Sequence, residues 1–150
     1  MKRIILFVAF VLIGMVGYAQ QLTQKYNNIL DRTEFFDSYG VMVGYCKKNT
    51  ILNQMEYYDS YGNLIKTEKY NNILDRTESR DEYGNTQSTR NYNNILDREE
   101  IKDEYGNIIG YKKWNNILNR SELYNAYGNM IGYYTWNNIL ERWEYHESGY

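Results

Sequence analysis

The sequence predicts an all-β protein: tandem 22-residue β-hairpin repeats forming one curved or spiralling antiparallel meander of about eleven strands. Three observations predict it. A fixed period fills most of the chain, two turn signals recur within it, and the segments between the turns are too short for helices and rich in β-branched and aromatic residues.

The period comes first. YNNILDRTEFFDSYGVMVGYCK starts at Tyr26, and its counterparts start at Lys48, Tyr70, Tyr92, Trp114 and Trp136, each step being 22 residues without insertion. Ile29, Ile51, Ile73, Ile95, Ile117 and Ile139 hold one column, each followed by Leu. Glu34, Glu56, Glu78, Glu100, Glu122 and Glu144 hold another. A third is Arg32, Arg76, Arg98, Arg120 and Arg142, with Gln54 replacing arginine once. No linker or second domain fits inside such a period. Residues 20–150 read as a single repeat domain whose last unit is a half-repeat.

Each unit has two expected turns. Asn-Asn, as in Asn115-Asn116, suits a two-residue hairpin turn because asparagine tolerates left-handed geometry. Asp-x-Tyr-Gly-Asn, as in Asp103 to Asn107, starts with a turn-forming aspartate and ends on a glycine free to take φ > 0. Between them lie strands of about eight residues (Ile95 to Lys102) and about seven (Ile108 to Trp114). Thr23-Gln24-Lys25 matches Thr67-Glu68-Lys69 and supplies a partial first strand.

Parity sets the faces. Strand side chains alternate, so columns stay on one face only if the strand residues per period sum to an even number. A two-residue turn and a four-residue loop satisfy this. That register puts Arg120 between Tyr111 and Tyr133, Arg98 between Thr89 and Tyr111, and Glu122 opposite Ile109 and Ile131. On the other face Ile117 meets Trp114 and Trp136, and Leu123 meets Met130. The third unit is the weak one: Ser79, Arg80 and Thr86 to Thr89 stand where other units are apolar. A modest core or a wet outer face is expected there.

Ahead of the repeats, Lys2 and Arg3 precede an apolar run from Ile4 to about Val16, and Gly17 and Ala19 sit at −3 and −1 before Gln20. That is the pattern of a secretory signal peptide over residues 1–19, and the run is shorter than the ~20 apolar residues of a membrane span. Its removal takes two of 17 basic residues and none of 19 acidic ones, leaving −4. The mild acidity argues against nucleic acid and anionic membranes as partners. Cys46, alone in the chain, cannot form an internal disulfide, and burial as a small hydrophobe is the favoured reading.

The units resemble YD/RHS repeats, most closely at Tyr58-Asp59-Ser60-Tyr61-Gly62-Asn63-Leu64 and more loosely at Phe36-Asp37-Ser38-Tyr39-Gly40. Only one unit has the full Tyr-Asp pair and the Leu. The resemblance implies a β-hairpin repeat protein on or outside the bacterial cell envelope. Tyr124 to Tyr133 is also similar to the hairpins of cell-wall-binding, choline-binding-type modules, where aromatic residues of adjacent hairpins cage a cation. Here tryptophan is scarce and the Gly-Tyr ending is missing from units two and three. MORN-type repeats share the length, but their glycine spacing fits less well.

Binding is the function these columns point to. Arg98, Tyr111, Arg120 and Tyr133, with Trp114 and Trp136, are the candidate contact residues, since guanidinium and aromatic faces suit sugar rings, cations or peptide. The same columns equally make cross-strand pairs that build the repeat. Lone His146 near Glu144 lacks the further ligands of a metal site, so no metal or other cofactor is expected. The many carboxylates are identical copies along a sheet rather than one unlike pair in a cleft, which argues against a glycosidase. The expected protein is therefore an exported, non-catalytic binding or scaffold module in the periplasm, at the cell surface or outside the cell. Its expected partners are polysaccharide, peptidoglycan or an envelope protein. The alternative is a structural fragment that self-associates through the two open edges of its sheet, or binds a partner protein; a glycan-acting hydrolase ranks last.

Overall fold

The computed structural model describes residues 22–148, so the leader assigned to residues 1–19 and the last residues of the half-repeat lie outside them. Twelve antiparallel strands form a closed barrel, not an open meander of eleven. The strands entering the Asn-containing turns are β1 (Thr23–Asn27), β3 (Met42–Asn49), β5 (Leu64–Asn71), β7 (Thr86–Asn93), β9 (Ile108–Asn115) and β11 (Met130–Asn137). Those leaving them are β2 (Arg32–Phe36), β4 (Gln54–Asp59), β6 (Arg76–Asp81), β8 (Arg98–Asp103), β10 (Arg120–Asn125) and β12 (Arg142–Glu147). Each strand pairs with its neighbours in sequence, and β1 returns to β12 at Thr23–Glu144.

Two features close the sheet. Thr23–Asn27 is a full strand, which raises the count to twelve. The ladder also shifts register by a bulge at Phe35/Phe36, Tyr57/Tyr58, Ser79/Arg80, Ile101/Lys102 and Leu123/Tyr124, once per unit. A bulge bends its strand and adds twist, so equal bends at equal intervals roll the sheet until its ends meet. Closure pairs the first and last strands on which edge-to-edge self-association would depend.

The first turn differs from expectation. Asn115 does not occupy a turn position; its side chain caps one. Its Oδ1 accepts the N–H groups of Ile117 and Leu118 at 3.1 and 3.0 Å. The loop therefore has four residues, Asn116 to Asn119, and the last takes φ 49°. Ile-Leu is drawn out of the strand into the loop, and Arg120 pairs with Asn115. The displacement is even, so Arg120, Glu122 and Leu123 keep their expected faces. The bulge reverses the two residues beyond it: Met130 turns outward to Arg120, and Ile131 packs on the inner cluster. Glu122 therefore lies opposite Lys113 and Tyr133, and Leu123 opposite Lys112 and Gly132. The second turn matches the reading: Asp103 Oδ1 accepts from Tyr105 and Asn107 at 2.9 and 2.8 Å, and Gly106 has φ 89°.

Inside the barrel lie two apolar clusters. Leu123, Tyr134, Trp143 and Tyr145 form one on the last strands, and Phe35, Cys46 and Tyr57 form the other on β2–β4. The third unit is polar on the inner side, where Ser79 and Arg90 are buried, rather than on a wet outer face.

Candidate functional site

The outer face carries a ladder that repeats around the barrel. The guanidinium of Arg98 lies 4.2 Å from the Tyr111 ring centroid, and Tyr111 stacks on Tyr124 at 4.8 Å and 9°. In the next unit Arg120 lies 4.1 Å from Tyr133, which stacks on His146 at 4.9 Å. Arg32 over Tyr45 and Tyr45 on Tyr58 repeat the pattern near the start. Each glutamate of the ladder is enclosed by donors. Glu122 accepts from Asn115 at 3.0 Å, Arg120 Nε at 2.8 Å and the Tyr124 hydroxyl at 2.7 Å. Burial alone would raise the Glu122 carboxyl; these donors hold it below the ordinary carboxylate range. In the same way Tyr124, partly buried and donating to Glu122, has its own ionisation pushed up to about 12.

The six candidate residues divide between two faces. Arg98 and Tyr111, and Arg120 and Tyr133, make two separate outer stacks, and Arg120 meets Tyr133 without reaching a place between two tyrosines. Trp114 and Trp136 turn to the inner side near the barrel end. Trp136 meets Trp143 edge-on at 5.5 Å and packs on the apolar cluster, and Trp114 stays 42% exposed. The stacked tyrosines spend ring faces on each other and on guanidinium groups, so the ladder is built first as structure. His146 also meets Thr135 Oγ1 at 2.8 Å. Among the described residues no group of three His, Cys, Asp or Glu side chains could hold a metal ion.

The interior holds a charged network that the sequence reading missed. Cys46, Glu68, Arg90, Lys112 and Tyr134 occupy one 22-residue column that the sheet turns inward, and its charged members are one acid, Glu68, followed by two bases, Arg90 and Lys112. Arg90 reaches from β7 across β6 to Glu68 on β5, with Nη2 2.7 Å from Oε2. Lys66 pairs with Glu68 and lies 4.2 Å over the Tyr57 ring, whose hydroxyl donates to Glu68 at 3.0 Å. Lys112 completes the series on Glu99 at 2.7 Å. Burial lowers the Lys66 ammonium to about 8, against the pull of Glu68. A cavity of about 420 Å³ runs from the barrel end at Tyr26 and Tyr70, past Met55 and Tyr57, to Glu68 and Arg90.

Both barrel ends are crowned by exposed side chains. The six Asn-capped turns carry Ile29, Ile51, Ile73, Ile95, Ile117 and Ile139 at 91–94% exposure, each followed by a leucine about half exposed. At the opposite end the turns capped by Asp37, Asp59, Asp81, Asp103 and Asn125 carry Tyr39, Tyr61, Tyr83, Tyr105 and Tyr127 at 82–91% exposure. Sequence reasoning placed the isoleucines in strands because an apolar pair beside Asn-Asn reads as a strand start. The signal that could have corrected it is that Asn27, Asn49, Asn71, Asn93, Asn115 and Asn137 never vary, whereas the residue after them does, as Thr50 shows. That pattern marks a cap, and a cap puts the next residues in the loop.

No family model matches this chain, and no curated protein matches it. Among solved structures it is similar to a protein of Arabidopsis thaliana determined by X-ray crystallography. The two share 8% identity over 85% of this chain and 79% of that one, with a TM-score of 0.63. At that identity the likeness is one of fold alone. Among the described residues no helix is long and apolar enough to cross a membrane.

Proposed function

We propose that this chain is an exported, non-catalytic binding module of the bacterial cell envelope, built from YD/RHS-like hairpins, and that it meets polysaccharide through its tyrosine crown. The observation that carries this reading is the ring of five tyrosines at one barrel end, 82–91% exposed and identical in all five turns there. The turns fix their backbone: in each, the aspartate or asparagine cap accepts the tyrosine N–H, as at Asp59–Tyr61 and Asp81–Tyr83, at 2.9 and 3.0 Å. A fixed backbone presents exposed rings at little ordering cost, the condition under which aromatic surfaces bind well. The outer stacks, whose rings are already engaged, brace the barrel that holds the crown. Export follows from the leader pattern of residues 1–19.

Co-sedimentation with washed envelope and with insoluble polysaccharides, at low and high salt, tests the reading. Salt-resistant retention on one polysaccharide is the expected result. Retention on none of them overturns it.

A further inference from the structure

The isoleucine crown is an apolar column of the Asn-capped turns that packs on nothing in the barrel. The asparagine caps the turn, and the arginine and glutamate build the ladder. Isoleucine, identical in all six turns, leaves 91–94% of its surface in water. An exposed apolar set of this size marks a contact surface. Its geometry is a ring around a barrel end, with the same residue at each tip, rather than a groove shaped for one side chain.

We propose that this end of the barrel seats on a phospholipid bilayer, with the six isoleucine tips entering the edge of the hydrocarbon. The layers behind the tips follow the order of a membrane interface. The penultimate strand residue of each hairpin is Tyr26, Tyr70, Tyr92, Trp114 or Trp136, with Lys48 in the remaining place. Trp136 packs inward on Trp143, while Tyr26, Tyr70, Tyr92 and Trp114 stay 42–55% exposed at the barrel rim. At about 3.3 Å per residue they stand roughly 7 Å behind the tips, the depth at which Tyr and Trp collect at membrane surfaces. One residue further back, Lys25, Lys47, Lys69 and Lys113 are exposed on the outer face. Their level is that of the headgroup phosphates.

Charge decides the kind of lipid. Asp31, Asp75, Asp97 and Glu141 close four of the turns, and the hydroxyls of Tyr26, Tyr70 and Tyr92 donate to the three aspartates. Four acids therefore stand close to the five lysines of this end, and an anionic surface gains little over a zwitterionic one. The hydrophobic tips carry the binding, and added salt leaves it in place.

Vesicle flotation of the chain as recovered from expressing cells tests the proposal, using phosphatidylcholine vesicles with and without about one-third phosphatidylglycerol. The comparison is a variant with Ile29, Ile51, Ile73, Ile95, Ile117 and Ile139 all changed to Ser. These side chains are exposed, so the variant keeps the parent's circular dichroism and melting curve. The parent is expected to float with phosphatidylcholine at high salt, and the variant to lose at least about 30-fold in partitioning. Equal flotation of both overturns the proposal by placing the contact in another segment. Flotation only with the anionic lipid, lost in salt, also overturns it. So does a parent that stays in solution; if that parent scatters light as a dimer that the variant does not form, the crown covers a second copy instead. Polysaccharide retention by the isoleucine variant is read separately, so failure here leaves the tyrosine crown to its own test.

Discussion

The guanidinium of Arg98 lies over the Tyr111 ring, 4.2 Å from its centroid, while its Nε and Nη2 both reach Oε1 of Glu100, at 3.2 and 2.9 Å. Ring contact and ion pair engage the same group at once. An arginine held this way supports the sheet, and little of it is left for a ligand.

Its removal therefore shows in stability. Arg98→Ala is expected to cost about 1 kcal/mol by the loss of a partly exposed stack and ion pair. Arg120→Ala should cost a similar amount, and the two should couple, because Tyr124, stacked on Tyr111, donates to the Glu122 that Arg120 holds. Urea unfolding of the two single variants and the double variant checks this. A double variant as stable as the parent would contradict the bracing role.

The interior network responds more strongly. Glu68 is the shared acceptor of Lys66, Arg90 and Tyr57, and all four are buried. Glu68→Gln takes from Lys66 and Arg90 the carboxylate they share, Arg90 keeping Glu99 at 4.0 Å, and is expected to destabilise by about 3–5 kcal/mol. Calorimetric melting reads the loss directly; an unchanged melting temperature would mean that the network is not closed as described.

The repeat, the places of its two turns, and the Arg98–Tyr111 and Arg120–Tyr133 contacts were legible in the sequence, but the bulge that sends Met130 outward and Ile131 inward was not. Nor was closure. It depends on one bulge per unit and on a five-residue first strand, neither of which has a residue signature beyond local pairing. The interior charges were hidden for another reason. Glu68, Arg90 and Lys112 read singly as solvated strand residues, and only a barrel turns them toward one another. The isoleucine crown was lost to a turn misread by two residues.

Acid should unfold the protein through its carboxylates. The Tyr58 hydroxyl, and then Asn49 and Gln54, hold Glu56 low, and Arg76 and Arg80 hold Glu78 low. At Glu68 burial pushes upward but is outweighed by Arg90 and Lys66. Folded values below the unfolded value of about 4.3 give stability that is complete above it and lost as pH falls through the folded values. The urea midpoint is expected to be flat between about pH 5 and 7 and to drop steeply below about pH 4. Equal midpoints at about pH 3 and pH 6 would be inconsistent with it.

Cys46 is buried among Phe35 and Tyr57, and burial, with Glu68 nearby, pushes its thiol up to about 12. Thiol reagents at about pH 8 should leave it unlabelled in the native protein and label it fully in denaturant. Rapid native labelling would show that the barrel opens at β2–β4.

Gly132 has no room for a side chain: a methyl group there would overlap the Tyr145 ring. Gly132→Ala should force that ring from the apolar cluster at about 1–3 kcal/mol. Near-ultraviolet circular dichroism should lose aromatic signal with the far-ultraviolet spectrum kept. An alanine variant with both the stability and the aromatic signal of the parent would refute this packing.

The division of labour between the outer ladder and the tyrosine crown is tested most directly by polysaccharide co-sedimentation of two variants beside the parent. One changes Tyr39, Tyr61, Tyr83, Tyr105 and Tyr127 to Ser; the other changes Arg98 and Arg120 to Ala. The tyrosine variant is expected to lose retention while melting like the parent, and the arginine variant to be retained but less stable. Retention kept by the tyrosine variant and lost by the arginine variant would contradict it and place recognition on the ladder.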